Sequence, residues 1–371
     1  MQKLVAYGLI TFIIIVIAVA LLVSGFYKNL IGGSTTKVSV SNPATSGLVT
    51  NVTVGKAPLF ATYDPRNGYV YVPNFYATTV SVINGTSVIA NVSVGSAPLF
   101  ATYDPRNGYV YVSNYNSSTI SVLNGTSVIT NVSVGFRPSF VVYDTGNSYV
   151  YVTNSGANTV SVINSTSVIA NVIVGLWPYT ATYDPRNGYV YVPSDNNSTL
   201  SVINGTSVIA NVSVVNGPEA ATYDPRNGYM YVSDYNGGLR PTFTVSVING
   251  TSVIANVSVG ADPSFTTYDP RNGYVYVPNL NSGTVSVVNG TSVIVNISVG
   301  LAFFPYSATY DPSNGYIYVS NSGWDTVSVI NGTSVIANVT VGSNPRFSIY
   351  DPMNRYVYVT NSGSGTVSIL K

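Results

Sequence analysis

From Lys37 to its C-terminus the chain repeats one pattern. Tyr-Asp recurs at Tyr63, Tyr103, Tyr143, Tyr183, Tyr223, Tyr268, Tyr310 and Tyr350, a period of about 40 residues. Residues 98–135 show what one period contains. Leu99 to Tyr103 reads as a first strand, and Asp104-Pro105-Arg106-Asn107-Gly108 as a turn. There Asp can bond its own backbone, Pro presets φ and Gly tolerates positive φ. Tyr109-Val110-Tyr111-Val112 alternates with period two, which predicts a second strand with Tyr on one face and Val on the other. Thr119 to Leu123 is a third strand, Asn124-Gly125 a hairpin pair of the type I′ kind, and Ser127 to Val134 a fourth strand.

A four-stranded sheet of such short strands cannot bury both faces alone. Eight in succession can, if they stand radially around an axis and pack on one another. The expectation is an all-β, eight-bladed β-propeller over residues 34–371, preceded by an N-terminal hydrophobic helix and short linker in residues 1–33. A parallel β-helix would need shorter rungs and no hairpins. The chain begins and ends in mid-repeat: residues 37–55 match third and fourth strands, and residues 345–370 match the first three. The simplest closure lets strand 47–55 complete the last blade. One copy of the third strand, Val38-Ser39-Val40 or Val367-Ser368-Ile369, is then surplus.

Second strands end in Tyr151-Val152-Thr153-Asn154 and Tyr358-Val359-Thr360-Asn361, with Tyr-Val-Pro-Asn or Tyr-Val-Ser-Asn in four other copies. On these residues the chain resembles the YVTN-repeat β-propellers, found for example in archaeal surface-layer proteins, over essentially all of residues 37–371. The resemblance implies a propeller and a cell-surface setting, and leaves function open because propellers host many roles. That family is commonly seven-bladed, whereas eight copies occur here. The copper and quinone chemistries of some related propellers need residues that this chain lacks.

The chain has no histidine and no cysteine. This removes imidazole bases, Ser-His-Asp and Cys-His nucleophiles, haem with His or Cys ligands, and zinc or copper sites on nitrogen and sulfur. Only 7% of residues are charged and the net charge is +1 without a basic run, so there is no footprint for nucleic acid.

Leu4 to Phe26 has no charged side chain. At about 1.5 Å per residue it is long enough to cross a bilayer core as a helix. It is read as a membrane anchor. A cleavable secretory signal with Val23-Ser24-Gly25 as its site, or the helical core of a surface filament, are the alternatives. All three place the repeats outside the cytoplasm, tethered to the membrane or secreted.

In a propeller, the loops between second and third strands share one face with the connections between blades. The other face carries the remaining turns. Here that second face is uniform: Asp-Pro-Arg-Asn-Gly occurs five times and Asn-Gly-Thr six times. The first face varies and carries Tyr76, Tyr115, Arg137, Trp177, Tyr179, Arg240, Phe303, Phe304 and Trp324. Aromatic side chains with an occasional Arg on loops suit a contact surface for a glycan, a protein or another copy of this chain. The plainer alternative is that they fill gaps between blades.

Eight of the thirteen acidic residues are the repeated turn Asp, read as acceptors for backbone N–H groups rather than as a ring of calcium ligands. Asp195, Glu219, Asp234, Asp262 and Asp325 fall outside the pattern, and no two have a spacing that argues for an acid/base pair. No metal and no cofactor is therefore expected, and the chain is expected not to be an enzyme. Asn-x-Ser/Thr sequons stand at the hairpin tips (Asn84, Asn124, Asn164, Asn204, Asn249, Asn289, Asn331), in loops at Asn116 and Asn197 among others, and on the fourth strands. They are potential glycan acceptors. The leading functional expectation is a structural or adhesive surface component. The second is a binding module using the variable face. Few carboxylates also means little stability to lose in acid.

Overall fold

The computed structural model describes residues 47–215, 217–235, 243–300 and 303–371. They form eight four-stranded antiparallel sheets arranged as the blades of a propeller. The second blade is typical: Pro98–Asp104 innermost, then Tyr109–Asn114, Thr119–Asn124 and Ser127–Ser133 outermost. Arg240 and residues 1–46 lie outside the described residues, including the segment 4–26 and Val38-Ser39-Val40. No helix among the described residues is long and apolar enough to cross a membrane.

The eighth blade joins the two ends of the chain. Pro345–Asp351, Tyr356–Asn361 and Thr366–Leu370 supply three strands, and Leu48–Thr53 pairs with Thr366–Leu370 as the outermost. Gly47 and Lys371 exchange two backbone hydrogen bonds, of 2.8 and 3.0 Å, where the other blades have a hairpin turn. Ser368 Oγ donates to Asn51 Oδ1 at 2.6 Å. The chain thus enters the ring on the uniform face.

Radial packing is expected to bury both faces of the second strands, and Val70, Tyr71 and Val72 are all fully buried. Each blade is sandwiched between two others, so both faces of its middle strands are interior. Tyr111, Ile120 and Val122 of the second blade pack on Val141, Val150 and Ile163 of the third. Equivalent cores fill the remaining interfaces. The last sets Tyr358, Val367 and Ile369 against Val70, Val72 and Ile83 of the first blade. Burial of each Val or Ile contributes roughly 1.5–3 kcal/mol, which a single blade could not collect.

A fully buried Tyr on each second strand carries polar cargo through this core. Tyr111 receives Asn107 Nδ2 of its own turn at 2.9 Å and donates to the Ser165 carbonyl of the next blade at 2.8 Å. Tyr358 closes the circle by donating to the Gly85 carbonyl at 2.9 Å. Tyr151, Tyr191, Tyr231 and Tyr276 reach the next blade's hairpin carbonyl in the same way, which offsets the cost of burying their hydroxyls.

One local reading changes. The hairpin pairs Asn124 with Ser127, so Gly125 and Thr126 form the loop, and of these only Gly125 has positive φ, 58°. That is the pattern of a type II′ turn rather than type I′, with Asn as the last strand residue. The turn Arg reaches the neighbouring blade: Arg226 donates to the Asn272 and Gly273 carbonyls of the next blade, at 3.2 and 3.0 Å. Arg66, Arg186 and Arg271 reach across in the same way.

Candidate functional site

Each inner strand starts after a residue held in the left-handed region. Ala57, Ala97, Arg137, Trp177, Asp262, Phe304 and Asn344 have φ between 48° and 59°, and Gly217 completes the set at 75°. A residue before Pro is normally extended. Here the left-handed turn aims its carbonyl at the neighbouring loop: Tyr115 N–H donates to Ala97 at 2.9 Å and Ser155 N–H to Arg137 at 2.9 Å. The two kinds of variable loop are therefore tied together on one face.

Immediately after the Pro the pairing slips. The register shifts after Pro98, Pro138, Pro218, Pro305 and Pro345. A β-bulge re-aims side chains, and here it brings two consecutive residues of each inner strand toward the axis. The position after the Pro holds Leu59, Leu99, Ser139, Tyr179, Glu219, Ser264, Tyr306 and Arg346. The next position carries Phe60, Phe100, Phe140, Phe265 and Phe347, which stack as an aromatic floor. Phe100 and Phe140 lie 3.8 Å apart between ring centroids, and Phe60 and Phe347 4.0 Å. Phe60 also reaches Phe265 at 6.0 Å.

Leu59 and Leu99 of the first two blades make one side of the mouth apolar; Tyr179, Glu219, Tyr306 and Arg346 make the other side polar. Arg346 lies over the Tyr306 ring, with Cζ 4.7 Å from the centroid. Burial pushes the Glu219 carboxyl up to about 8; the charge of Asp195 adds to this and that of Arg346 opposes it. Glu219 Oε2 and Arg346 Nε are buried without a hydrogen-bond partner. Burial also raises the phenols of Tyr179, Tyr235 and Tyr306, and each feels the charge of Glu219. A carboxyl that is neutral at pH 7 donates as well as accepts a hydrogen bond. Beside a fixed cation and three phenols it makes a mouth suited to a polar ligand resting on an aromatic base.

Of the residues singled out from the sequence, the structure brings Tyr115, Arg137 and Tyr179 toward this mouth. Tyr115 packs in the central aromatic cluster with Phe60 and Phe265. Arg137, only 9% exposed, lies 5.6 Å from the Tyr115 ring and 5.1 Å from that of Phe136. Tyr76, Trp177, Phe303, Phe304 and Trp324 are not drawn into the cluster. Tyr76 stands 55% exposed against Phe75, and Trp324 packs on Phe303 at 5.5 Å. Trp177 N–H donates to Asn158 Oδ1 at 3.0 Å. Glu219, Tyr235, Tyr306 and Arg346 were not singled out. The available signal was the position after Pro, the least uniform in an otherwise repeated strand, and Glu219 is the chain's sole glutamate. Asp195 and Glu219 do interact, although their spacing gave no hint of it, because the turn that follows the fourth blade's second strand carries Asp195 within range of the fifth blade's inner strand.

The tip asparagines Asn84, Asn124, Asn164, Asn204, Asn249, Asn289 and Asn331 are all exposed, as are Asn116 and Asn197. Asn289 Oδ1 accepts from Arg226 at 3.0 Å. The turn aspartates each serve their own turn: Asp104 Oδ1 accepts Arg106 N–H at 2.8 Å and Asp351 Oδ1 accepts Met353 N–H at 2.8 Å.

No protein-family model and no curated protein matches the sequence. Solved structures do match the fold. Hydrazine synthase of Kuenenia stuttgartiensis aligns with a TM-score of 0.60 at 18% identity, covering 73% of this chain and 94% of that one. A catalytically inactive virginiamycin B lyase from Staphylococcus aureus with quinupristin aligns at 0.62 and 11% identity, covering 88% and 99%. The WD40 propeller domain of Doa1 aligns at 0.58 and 11% identity, covering 88% and 97%. At these identities the likeness establishes a β-propeller and nothing of its chemistry. It does correct one expectation. The absence of histidine, cysteine and a spaced carboxylate pair was counted against catalysis, but a hydrazine synthase and a lyase are built on the same architecture. The expectation that the chain is not an enzyme therefore does not stand.

Proposed function

We propose that this chain is a YVTN-type surface propeller, held outside the cytoplasm by residues 4–26, that captures a glycan or protein partner at the mouth of its axis. One observation carries the reading. Repeats that are otherwise nearly interchangeable place Tyr179, Glu219, Tyr306 and Arg346 at the single inner position where the others hold Leu or Ser. Individual chemistry on a repeated scaffold is what a binding site requires and a purely structural ring does not. The exposed tip sequons on the opposite face favour a second role as a glycosylated structural or adhesive component of the surface, in which the uniform face contributes little to recognition.

The test is a glycan and peptide array probed with the full chain. Saturable binding is expected, weakened about tenfold or more in Arg346→Ala, since a partly buried cation facing a ligand is typically worth about 1.4 kcal/mol or more. Binding that Arg346→Ala and Tyr179→Ala both leave unchanged would remove the mouth from consideration. Labelling of intact cells with an impermeant reagent decides the location independently.

A further inference from the structure

The outermost strands are the free edges of their sheets, and none carries a charged residue. Unpaired backbone on an uncharged edge is a template for another strand unless something blunts it. On seven blades the exposed strand row contains an Asn followed two residues later by Ser or Thr: Asn51, Asn91, Asn131, Asn211, Asn256, Asn296 and Asn338. The third blade departs from this. Its edge reads Ser167-Val168-Ile169-Ala170-Asn171-Val172-Ile173, so the hydroxyl is replaced by Ile and the acceptor sequence is lost.

Ile173 is 79% exposed, more than any other large apolar side chain among the described residues. Ser167, Ile169, Asn171 and Ile173 form the exposed row of this strand. Leu176 follows at 48% exposure, and Ile173, Val174 and Gly175 form the apolar wall of a groove of about 240 Å³.

We propose that the outer edge of the third blade, Ser167–Ile173, pairs antiparallel with the same edge of a second copy of this chain. The segment is self-complementary about Asn171. A two-fold axis through that residue sets Ile169 opposite Ile173 of the second copy and Asn171 opposite its own counterpart. Apolar then meets apolar and amide meets amide, with no like charges opposed. Main-chain hydrogen bonds continue the sheet across the axis. The same pairing on the fourth blade would set Ile209 against Ser213, and a glycan at Asn211 would cover that edge altogether.

The chain contains no cysteine, so one introduced thiol reports on the pairing. Directly opposed residues of antiparallel strands have Cα atoms about 4.5–5.5 Å apart, within disulfide range. Full chain made without glycosylation, in detergent, leaves the edge residues alone to decide. Asn171→Cys is expected to give about tenfold more oxidised dimer than Asn211→Cys at the matching position of the fourth blade. Each substitution loses the same bond, from Ser161 Oγ at 2.7 Å or Ser201 Oγ at 2.8 Å. Adding Ile173→Lys should return Asn171→Cys to the control level without lowering the melting temperature, since Ile173 lies in solvent. Equal crosslinking at the two positions, or crosslinking indifferent to Ile173→Lys, overturns the proposal.

Discussion

At one end of the axis the inner strands of five blades finish in the same Asp-Pro-Arg-Asn-Gly turn; at the other end the eight positions after Pro hold five different residue types. The turn end is held by bonds that recur around the ring: a carboxylate on its own turn in all eight blades, an Arg reaching the next turn in four, and a buried Tyr reaching the next hairpin carbonyl. Such bonds demand the same residue each time, because the geometry is the same each time. The mouth is held by left-handed turns and bulges whose backbone bonds do not depend on the side chain. Identity there is free to differ, and it does: Leu59, Leu99 and Ser139 on one side, Tyr179, Glu219, Tyr306 and Arg346 on the other.

The contrast can be broken most forcefully at the seam. Tyr358→Ala removes a fully buried ring and its bond to Gly85, in the core that joins the last blade to the first. A loss of about 3–5 kcal/mol is expected from chemical denaturation. Binding at the mouth should persist in the folded fraction.

A second prediction concerns the fifth blade, the least regular. Asp234 stands where six of the other second strands end in Asn and the fourth blade's ends in Ser194. Burial pushes its carboxyl up to about 8, with Ser246 opposing the shift. A folded pKa above the ordinary carboxylate value near 4 means that folding takes up a proton between those limits. Stability from this group is full in acid and lost as pH rises toward 8, and Glu219 adds in the same direction. The melting temperature of the wild type should rise from pH 8 to pH 5 and hold toward pH 3, and Asp234→Asn should flatten the slope. A fall on acidification would count against the assignment and against the acid-tolerant character that the scarcity of charge suggested.

The smallest effect is expected at the exposed clamps. Arg226→Ala gives up hydrogen bonds to Asn272, Gly273 and Asn289 at the solvent boundary. A cost of about 0.5–1 kcal/mol is expected, with no change in mouth binding. A larger cost would mean that the clamps hold blades together more than the apolar interfaces do.

The repeat told its own fold because local signals agree in every copy: alternation, Asp and Gly turns and hairpin pairs all recur in step, so one blade read correctly is eight. The mouth was only partly legible. Tyr115, Arg137 and Tyr179 could be picked out as odd residues on varying loops. Glu219, Tyr306 and Arg346 sit inside strands, and only the bulge after each Pro shows that they turn toward the axis. Trp324 and Tyr76 were equally odd in sequence, but their blades place them at the rim.

The sequence alone determined blades and turns, since these depend on neighbours a few residues apart, and its composition determined the absence of imidazole and thiol chemistry. Only the tertiary structure decided which blade faces which, and hence that Asp195 meets Glu219 and that Arg226 serves the next turn. Those contacts join residues from different repeats, and no local pattern encodes the distance between them; closing the ring does.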